Sequence, residues 1–529
     1  MISTGSMAPH LLGFHKRVTC PTCQYQFAIG VSQKSGIVQA VHSSEKQQTL
    51  RDSSADQPSR SKLDLTSARR SLAVCPNCGR DSIDISGTPR NQGDQLLVHK
   101  NAYQFGLPKR WEVIVFRNPQ NPLQAYVKRV VGLPGETVQV IDGDVYRFQN
   151  GSYSICRKSL SSQRAVRIPV YDHDFEPQND ATWESRWVPE SAPREWRPIP
   201  HGFAFDGLAS RQGESPPPLA WVKYRHWIRS GGSHRTSLQL EDIKNSVPLS
   251  SSLLQPLRYN PVTGTLSCYG VLPDWERDRL LRVVEDPQFH QAVQTLSEQS
   301  HIAPIDDRYG YNRTSRSEPS NSVRDLMIAL EVTVAKGQGG FVLQMTDGKQ
   351  VFNCVVDLGR SEVRLMVDGE KDAVRIAKLN SAVFHQPMLW EMSLMDRQVL
   401  VAVNQQQVFE PLLLDDSVRT GKPLREPVRI GAEGLQLRIR SLKLFRDVYY
   451  TRKDSSEPYT LGMDEYYVLG DNSPVSSDSR VWVEPAVNKR HFLGKPFVVH
   501  LPSRPGRIKI GEIFVQIRIP DISRMHYIR

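Results

Sequence analysis

Four cysteines and a few isolated hydroxyl and amine side chains are the residues whose types and spacing could do chemistry. Cys20-Pro21-Thr22-Cys23 and Cys75-Pro76-Asn77-Cys78-Gly79 are two Cys-x-x-Cys knuckles. Each tight turn aims two thiolates at one point, and two such turns supply the four soft ligands of a tetrahedral zinc site. The proline inside each pair and Gly79 after the second suit a knuckle turn. A zinc ion filled by Cys20, Cys23, Cys75 and Cys78 is structural, because no coordination position is left for a substrate. If the site lies outside the cytoplasm, the same four thiols could close two disulfides instead. Cys156, Cys268 and Cys354 stand alone and read as ordinary core or surface residues; His226 and His290 read as structural histidines.

A second kind of chemistry needs three stretches far apart in the chain: Thr4-Gly5-Ser6-Met7-Ala8-Pro9, Tyr126-Val127-Lys128-Arg129-Val130-Val131-Gly132-Leu133-Pro134-Gly135-Glu136, and Gly470-Asp471-Asn472-Ser473-Pro474-Val475-Ser476-Ser477-Asp478-Ser479-Arg480. A serine hydroxyl is a poor nucleophile until a base takes its proton. Lysine, with an ordinary pKa of about 10.4, is charged at neutral pH. Burial against apolar groups can lower that by up to ~3–5 units. Lys128 sits among valines in a strand-like run that can supply such burial. Arg129 falls on the opposite face of the same strand, since successive side chains alternate.

The elements that must position these residues read as mainly β. Gly93–Lys100 starts a strand after a turn, and Glu112–Arg117 is a short apolar strand ended by Asn118-Pro119. Thr137–Ile141 and Val145–Phe148 flank Asp142-Gly143, a hairpin signal. Residues 43–70 are rich in Ser, Gln and Arg and read as a flexible loop. Across 151–320 the pattern is irregular: Ser215-Pro216-Pro217-Pro218 marks a loop, Trp221–Trp227 could be a strand, and Asp274–Ser300 reads as helix interrupted near Pro287. From Leu326 to Arg440 short strands recur with Asp347-Gly348 and Asp368-Gly369 in the gaps, which argues a β-sandwich. Glu465–Asn472 is an apolar strand running into a polar turn, and Phe492–Val499 is another strand.

The 529 residues allow three or four domains. A mean hydropathy of −0.44 and the lack of ~18 consecutive apolar residues exclude an obvious membrane-spanning helix. The formal charge of +11 favours acidic partners such as an anionic membrane surface. Basic residues are scattered with no long run, so nucleic acid is not expected as a partner.

In this order, the three chemistry-bearing stretches resemble the boxes of bacterial type I signal peptidases, Ser-Lys endoproteases that cut leader peptides from exported proteins. The resemblance implies Ser6 as nucleophile and Lys128 as general base. It implies that Thr4, with the Ser6 amide, helps stabilise the oxyanion, and that Ser476 orients the lysine. Arg129, Asp471, Asp478 and Arg480 take structural roles by the same likeness. Glu136 stands where aspartate is common, His10 where threonine is common, and Ser473-Pro474-Val475 departs from the last box. The fold expected is a signal-peptidase-type β core interrupted by insertions. The nucleophile segment is 1–12, a zinc-ribbon-like insertion with its loop 13–92, and the core with the base strand 93–150. An insertion of unknown role, partly helical, covers 151–320. A sandwich whose texture looks like the concanavalin/laminin-G jelly roll covers 321–450, and the core closes with 451–529.

The resemblance further implies exported preproteins as substrates, cut after small residues, and a site on the outer face of the cytoplasmic membrane. The sandwich could bind a glycan or a protein. The family's membrane helix and strand before the nucleophile are not found ahead of Ser6. Met1 is therefore expected to lie inside a longer reading frame, with Ser6 near a poorly ordered terminus. Two other readings stay open: a soluble self-processing Ser-Lys protein of the LexA type, and a zinc-ribbon and jelly-roll binding protein whose catalytic core has decayed.

Overall fold

The computed structural model describes residues 1–31 and 72–528, apart from 119–120, 150, 191–194, 209–218, 232–233, 241–254, 261, 313–319, 380–383, 417–422, 452–456, 501 and 511–512. The loop expected at 43–70 and the triple proline at 216–218 lie outside the described residues.

The sheet that carries the lysine is assembled from both ends of the chain. Its strands run in the order Ala486–Asn488, Glu465–Leu469, Asn121–Gly132, Val113–Asn118, Phe492–His500, His526–Tyr527, and Gln95–His99 also pairs with Phe492–His500. Ile114 stands opposite Lys128, while Val113 and Leu469 flank Arg129 on its two sides. The β-branched and aromatic run Val113–Phe116 and the strand Glu465–Leu469 bury Ile114, Phe116, Val130, Tyr466 and Val468 in one core. A four-stranded sheet of Ser152–Ile155, Asp144–Gln149, Thr137–Ile141 and Tyr459–Thr460 adjoins it. Asp142 and Gly143, both at positive φ, make the tight turn between Thr137–Ile141 and Asp144–Gln149.

The sandwich is larger than the sequence led one to expect. Strands Leu326–Thr346 and Val428–Arg446 run side by side through a 14-stranded sheet. Ile168–Asp172, Gly202–Asp206 and Ala220–Tyr224 all pair with Val428–Arg446, and Trp187–Pro189 pairs with Ala220–Tyr224. Their aromatic residues, Tyr171, Trp187, Phe203, Phe205 and Tyr224, join Leu343, Phe352, Trp390 and Ile439 in one core. The boundary expected at 320/321 therefore does not follow the sheet, and the strands between 168 and 224 complete the sandwich. They were hard to read because each is only three to five residues long, and three of them find their partner more than 200 positions away. Another part of the 151–320 segment forms a small layer with its own core. Helices Asp274–Val283 and Pro287–Ser300 pack on the three-stranded sheet built around Thr265–Tyr269, and the expected break at Pro287 falls between them.

Among the described residues no helix is long and apolar enough to cross a membrane.

Candidate active site

Lys128 and Arg129 are both buried, at 2% and 1% exposure, which excludes a solvated edge for this pair. Lys128 Nζ donates to Ser476 Oγ at 2.8 Å. Among the described residues no carboxylate lies within ion-pair distance of its Nζ. Burial pushes its pKa down to about 8; Asp478 and Asp471 pull the other way, and Arg480 adds to the lowering. A substantial fraction of Lys128 is then neutral in mildly alkaline solution, the form that can accept a proton.

The charges around it are absorbed in pairs. Arg129 binds Asp471 through two hydrogen bonds of 2.8 and 2.7 Å and donates to the Trp111 carbonyl. Arg480 forks onto Asp478 at 2.9 and 2.7 Å. Burial opposes ionisation of both carboxyls, but the two guanidinium groups outweigh it and hold Asp471 and Asp478 below the usual carboxylate range. Arg480 also clamps the box internally by donating to the Ser473 hydroxyl and carbonyl, and Asp478 accepts from the Gly470 amide. Ser473, one of the departures from the family box, thus has a partner within the box. His10 Nδ1 lies 2.9 Å from Asp471 Oδ2, and Glu136 accepts from Arg110 and from the Leu133 amide.

Ser6 lies on a segment that is held in place, contrary to the expectation of a loose terminus. Ile2 donates its amide to the Asp94 carbonyl at 2.8 Å, and Ile2, Met7 and Leu11 are buried with Val113 and Val499. The Asn472 amide donates to the Ser6 carbonyl at 3.0 Å, and Asn472 Nδ2 donates to the Gly5 carbonyl at 2.8 Å. A Cβ on Gly470 would fall 2.2 Å from Ser476 Oγ and 2.5 Å from the Ser6 carbonyl oxygen. The serine that holds the lysine and the backbone of the candidate nucleophile therefore meet across a gap that only glycine fits. Thr4 Oγ1 lies 3.4 Å from Ser6 Oγ. The three stretches, hundreds of residues apart, are thereby brought to one place.

The four cysteines converge as well. Cys20, Cys23, Cys75 and Cys78 are buried, and their Sγ atoms all lie within 4.8 Å of one another. The pairs Cys20/Cys78 and Cys23/Cys75 stand 3.6 and 3.7 Å apart. A tetrahedron with metal–sulfur bonds of about 2.3 Å has edges of about 3.8 Å, so the thiols fit a zinc ion. The two knuckles share one turn: Gln24 and Gly79 donate their amides to the Cys20 and Cys75 carbonyls, and both adopt positive φ. Cys156, Cys268 and Cys354 are buried singly. His226 and His290 have partners, Tyr224 OH at 2.8 Å and the Val284 carbonyl at 2.5 Å.

Sequence reasoning missed three contributors to the site. Tyr309, Tyr311 and Asn312 come from the segment assigned no chemistry, and they touch Asp471, Gly5 and Asn472 respectively. Nothing in their local pattern signals this, because each contact spans at least 160 residues. Lys158 is a further buried lysine that sequence reasoning did not single out. Its Nζ donates to Asp396 and Asp447 at 2.5 and 2.7 Å and lies over the Trp111 ring.

Residues 83–192 match the family described as "Signal peptidase, peptidase S26". That stretch contains Lys128 and Arg129 but neither Ser6 nor Ser476. Among individual relatives, the chain is 49% identical over 59 residues to "Signal peptidase I" of Leptolyngbya laminosa, which is 10% of this chain and 29% of the relative. It is 31% identical over 111 residues to "Mitochondrial ATP-independent inner membrane protease subunit 1b" of Arabidopsis thaliana, 21% of this chain and 54% of the relative. The chain spans about a third of the length of the first relatives it matches. It thus contains a signal-peptidase-type segment within a mainly β protein. Among solved structures, the carbohydrate-binding module CBM66 of Bacillus subtilis aligns with 23% of this chain and 76% of its own at 13% identity, with a TM-score of 0.18.

Proposed function

We propose that this chain is a signal peptidase I-like serine endopeptidase that cuts leader peptides from exported preproteins with a Ser-Lys dyad. One observation carries the reading: a buried lysine, free of any carboxylate partner among the described residues, is hydrogen-bonded to Ser476 beneath the loop that bears Ser6. In the proposed reaction neutral Lys128 Nζ takes the Ser6 Oγ proton as Oγ bonds to the scissile carbonyl carbon. The resulting ammonium returns that proton to the departing amine as the C–N bond breaks. Lys128, neutral again, takes a proton from water, whose oxygen attacks the acyl ester; the proton returns to Ser6 Oγ as the ester breaks. The Ser6 amide and the Thr4 hydroxyl face the oxyanion, Ser476 fixes the lysine, and Arg129, Asp471, Asp478 and Arg480 hold the frame.

The substrate reading extends the likeness to signal peptidases I: exported preproteins with small residues before the cut, met at the outer face of the cytoplasmic membrane. The four-cysteine module holds a structural zinc ion, and the sandwich offers a surface for a glycan or protein ligand. The test is incubation of the full chain with a leader peptide in detergent, with the products read by mass spectrometry. Cleavage after a small residue by the native chain and none by Ser6→Ala supports the reading. Equal cleavage by both removes Ser6 from the mechanism.

A further inference from the structure

The nucleophile loop is braced by residues that lie outside the three boxes. In the segment Tyr309-Gly310-Tyr311-Asn312 the two tyrosines and the asparagine are buried, from 4% exposure at Tyr309 to 8% at Tyr311 and Asn312, while Gly310 is exposed. Asn312 and Asn472 form a reciprocal amide pair: Asn312 Nδ2 donates to Asn472 Oδ1 and Asn472 Nδ2 donates to Asn312 Oδ1, each at 2.7 Å. Asn472 Nδ2 also donates to the Gly5 carbonyl, and the Asn472 amide to the Ser6 carbonyl. If the Asn472 side-chain amide turned over, its oxygen would face the Gly5 carbonyl oxygen in a buried place, an unpaired contact of the costly kind. Asn312 is thus the group that fixes which way Asn472 presents its donor. Tyr311 adds a steric stop. A Cβ on Gly5 would fall 2.4 Å from Tyr311 Cε1, so the ring lies directly against the residue before Ser6. Tyr311 OH donates to the Phe14 carbonyl at 3.2 Å and Tyr309 OH to the Asp471 carbonyl at 2.7 Å. The same segment rests on the cysteine module, since Tyr311 packs as closely on Gly30 and Gly310 faces Pro76.

We propose that Tyr311 and Asn312 are positioning residues for Ser6, supplied by the insertion, and that the nucleophile loop holds its working geometry only while they are in place. This rests on the Ser-Lys reading above. Neither residue touches substrate or the reacting atoms; both act through Gly5 and Asn472. A displacement of about 1 Å can cost a nucleophile ~100-fold in rate.

The experiment compares Asn312→Ala, Tyr311→Ala and Tyr311→Phe in the full chain, with Ser6→Ala and Lys128→Ala as references. Asn312→Ala and Tyr311→Ala are expected to lower kcat about tenfold or more, with KM within about twofold. Tyr311→Phe, which keeps the ring against Gly5, is expected to stay within about threefold of the native rate. The alkaline rise of the rate is expected to keep its midpoint in all three, because Lys128 is held separately by Ser476. Amide hydrogen exchange gives a readout independent of turnover. In Asn312→Ala the amides of Ala8, Leu11 and Asn472, bonded to Gly5, Met7 and Ser6, should exchange about tenfold faster or more, with Asn121–Gly132 unchanged. Native exchange at those amides in Asn312→Ala and Tyr311→Ala overturns the proposal. So does a fall in kcat accompanied by faster exchange throughout Asn121–Gly132 and a shifted midpoint, the pattern of general loosening. Activity surviving in Ser6→Ala or Lys128→Ala would instead defeat the dyad reading, whatever the exchange data show.

Discussion

At the residue scale the proposed chemistry depends on one lysine losing its charge. Lys128 has a folded pKa of about 8, below its ordinary value of 10.5. The unfolded chain therefore binds more protons than the folded one between those values, so stability rises with pH across that window and the buried lysine weakens the fold below it. Lys128→Met is expected to abolish cleavage without lowering the denaturation midpoint near neutral pH, because it removes a poorly solvated amine and keeps the volume. A large loss of stability in that variant would show that the lysine is a structural tie. Ser6→Ala and Lys128→Ala should each remove most of the activity, and the double variant little more, since the two act as a unit. Gly470→Ala tests the meeting of the boxes. Its new methyl would strike Ser476 Oγ and the Ser6 carbonyl at once, and the rate should fall at least ~100-fold if the two must stay in register. A native rate for Gly470→Ala would mean that the two loops can part without harm.

At the scale of elements, what could be read in advance was whatever announces itself locally. The knuckles around Cys20 and Cys75, the Asp142-Gly143 turn and the alternation at Leu435–Arg440 depend on neighbours in sequence, and the structure forms a turn or strand at each. Lys128 was legible only together with the flanking Gly132-Leu133-Pro134-Gly135 turn and the Ser6 stretch, since its valine neighbours allow burial without requiring it. The reciprocal bond between Asn312 and Asn472 was not, for neither residue's surroundings hint at the other. Of the strands between 168 and 224 only the one at Ala220–Tyr224 was signalled locally, by Trp221–Trp227; Ile168–Asp172 and Gly202–Asp206 were missed for the same reason, as their partner is the distant Val428–Arg446. The cysteine module gives its own prediction. Reduced native protein should carry about one zinc per chain by elemental analysis, and Cys75→Ser should release it. Zinc-free native protein with two disulfides by mass spectrometry would favour the oxidised alternative. Because Gly310 and Tyr311 rest against Pro76 and Gly30, chelation should also lower kcat more than it raises KM.

At the scale of the whole molecule, the sandwich and the sheet that carries Lys128 are joined by more than their connecting chain. Lys158 bonds to Asp396 and Asp447 while lying over Trp111, whose carbonyl accepts from Arg129. The sandwich core also takes strands from both sides of residue 320. Deleting 321–450 should therefore leave Ile168–Asp172, Gly202–Asp206 and Ala220–Tyr224 without the strand they pair with, and their buried aromatics exposed. The shortened protein is expected to be insoluble, or to be cut by trypsin between 168 and 224 far faster than the native chain. A soluble and resistant product would mean that those strands stand alone.

The dyad itself is tested most directly by the single-turnover rate of leader-peptide cleavage by the full chain, followed from about pH 6 to about pH 10. If neutral Lys128 is the base, the rate is low in mild acid, rises through a midpoint near 8, levels off above it, and vanishes in Lys128→Ala at every pH. A rate flat across the range, or a rise that survives in Lys128→Ala, would contradict a lysine base.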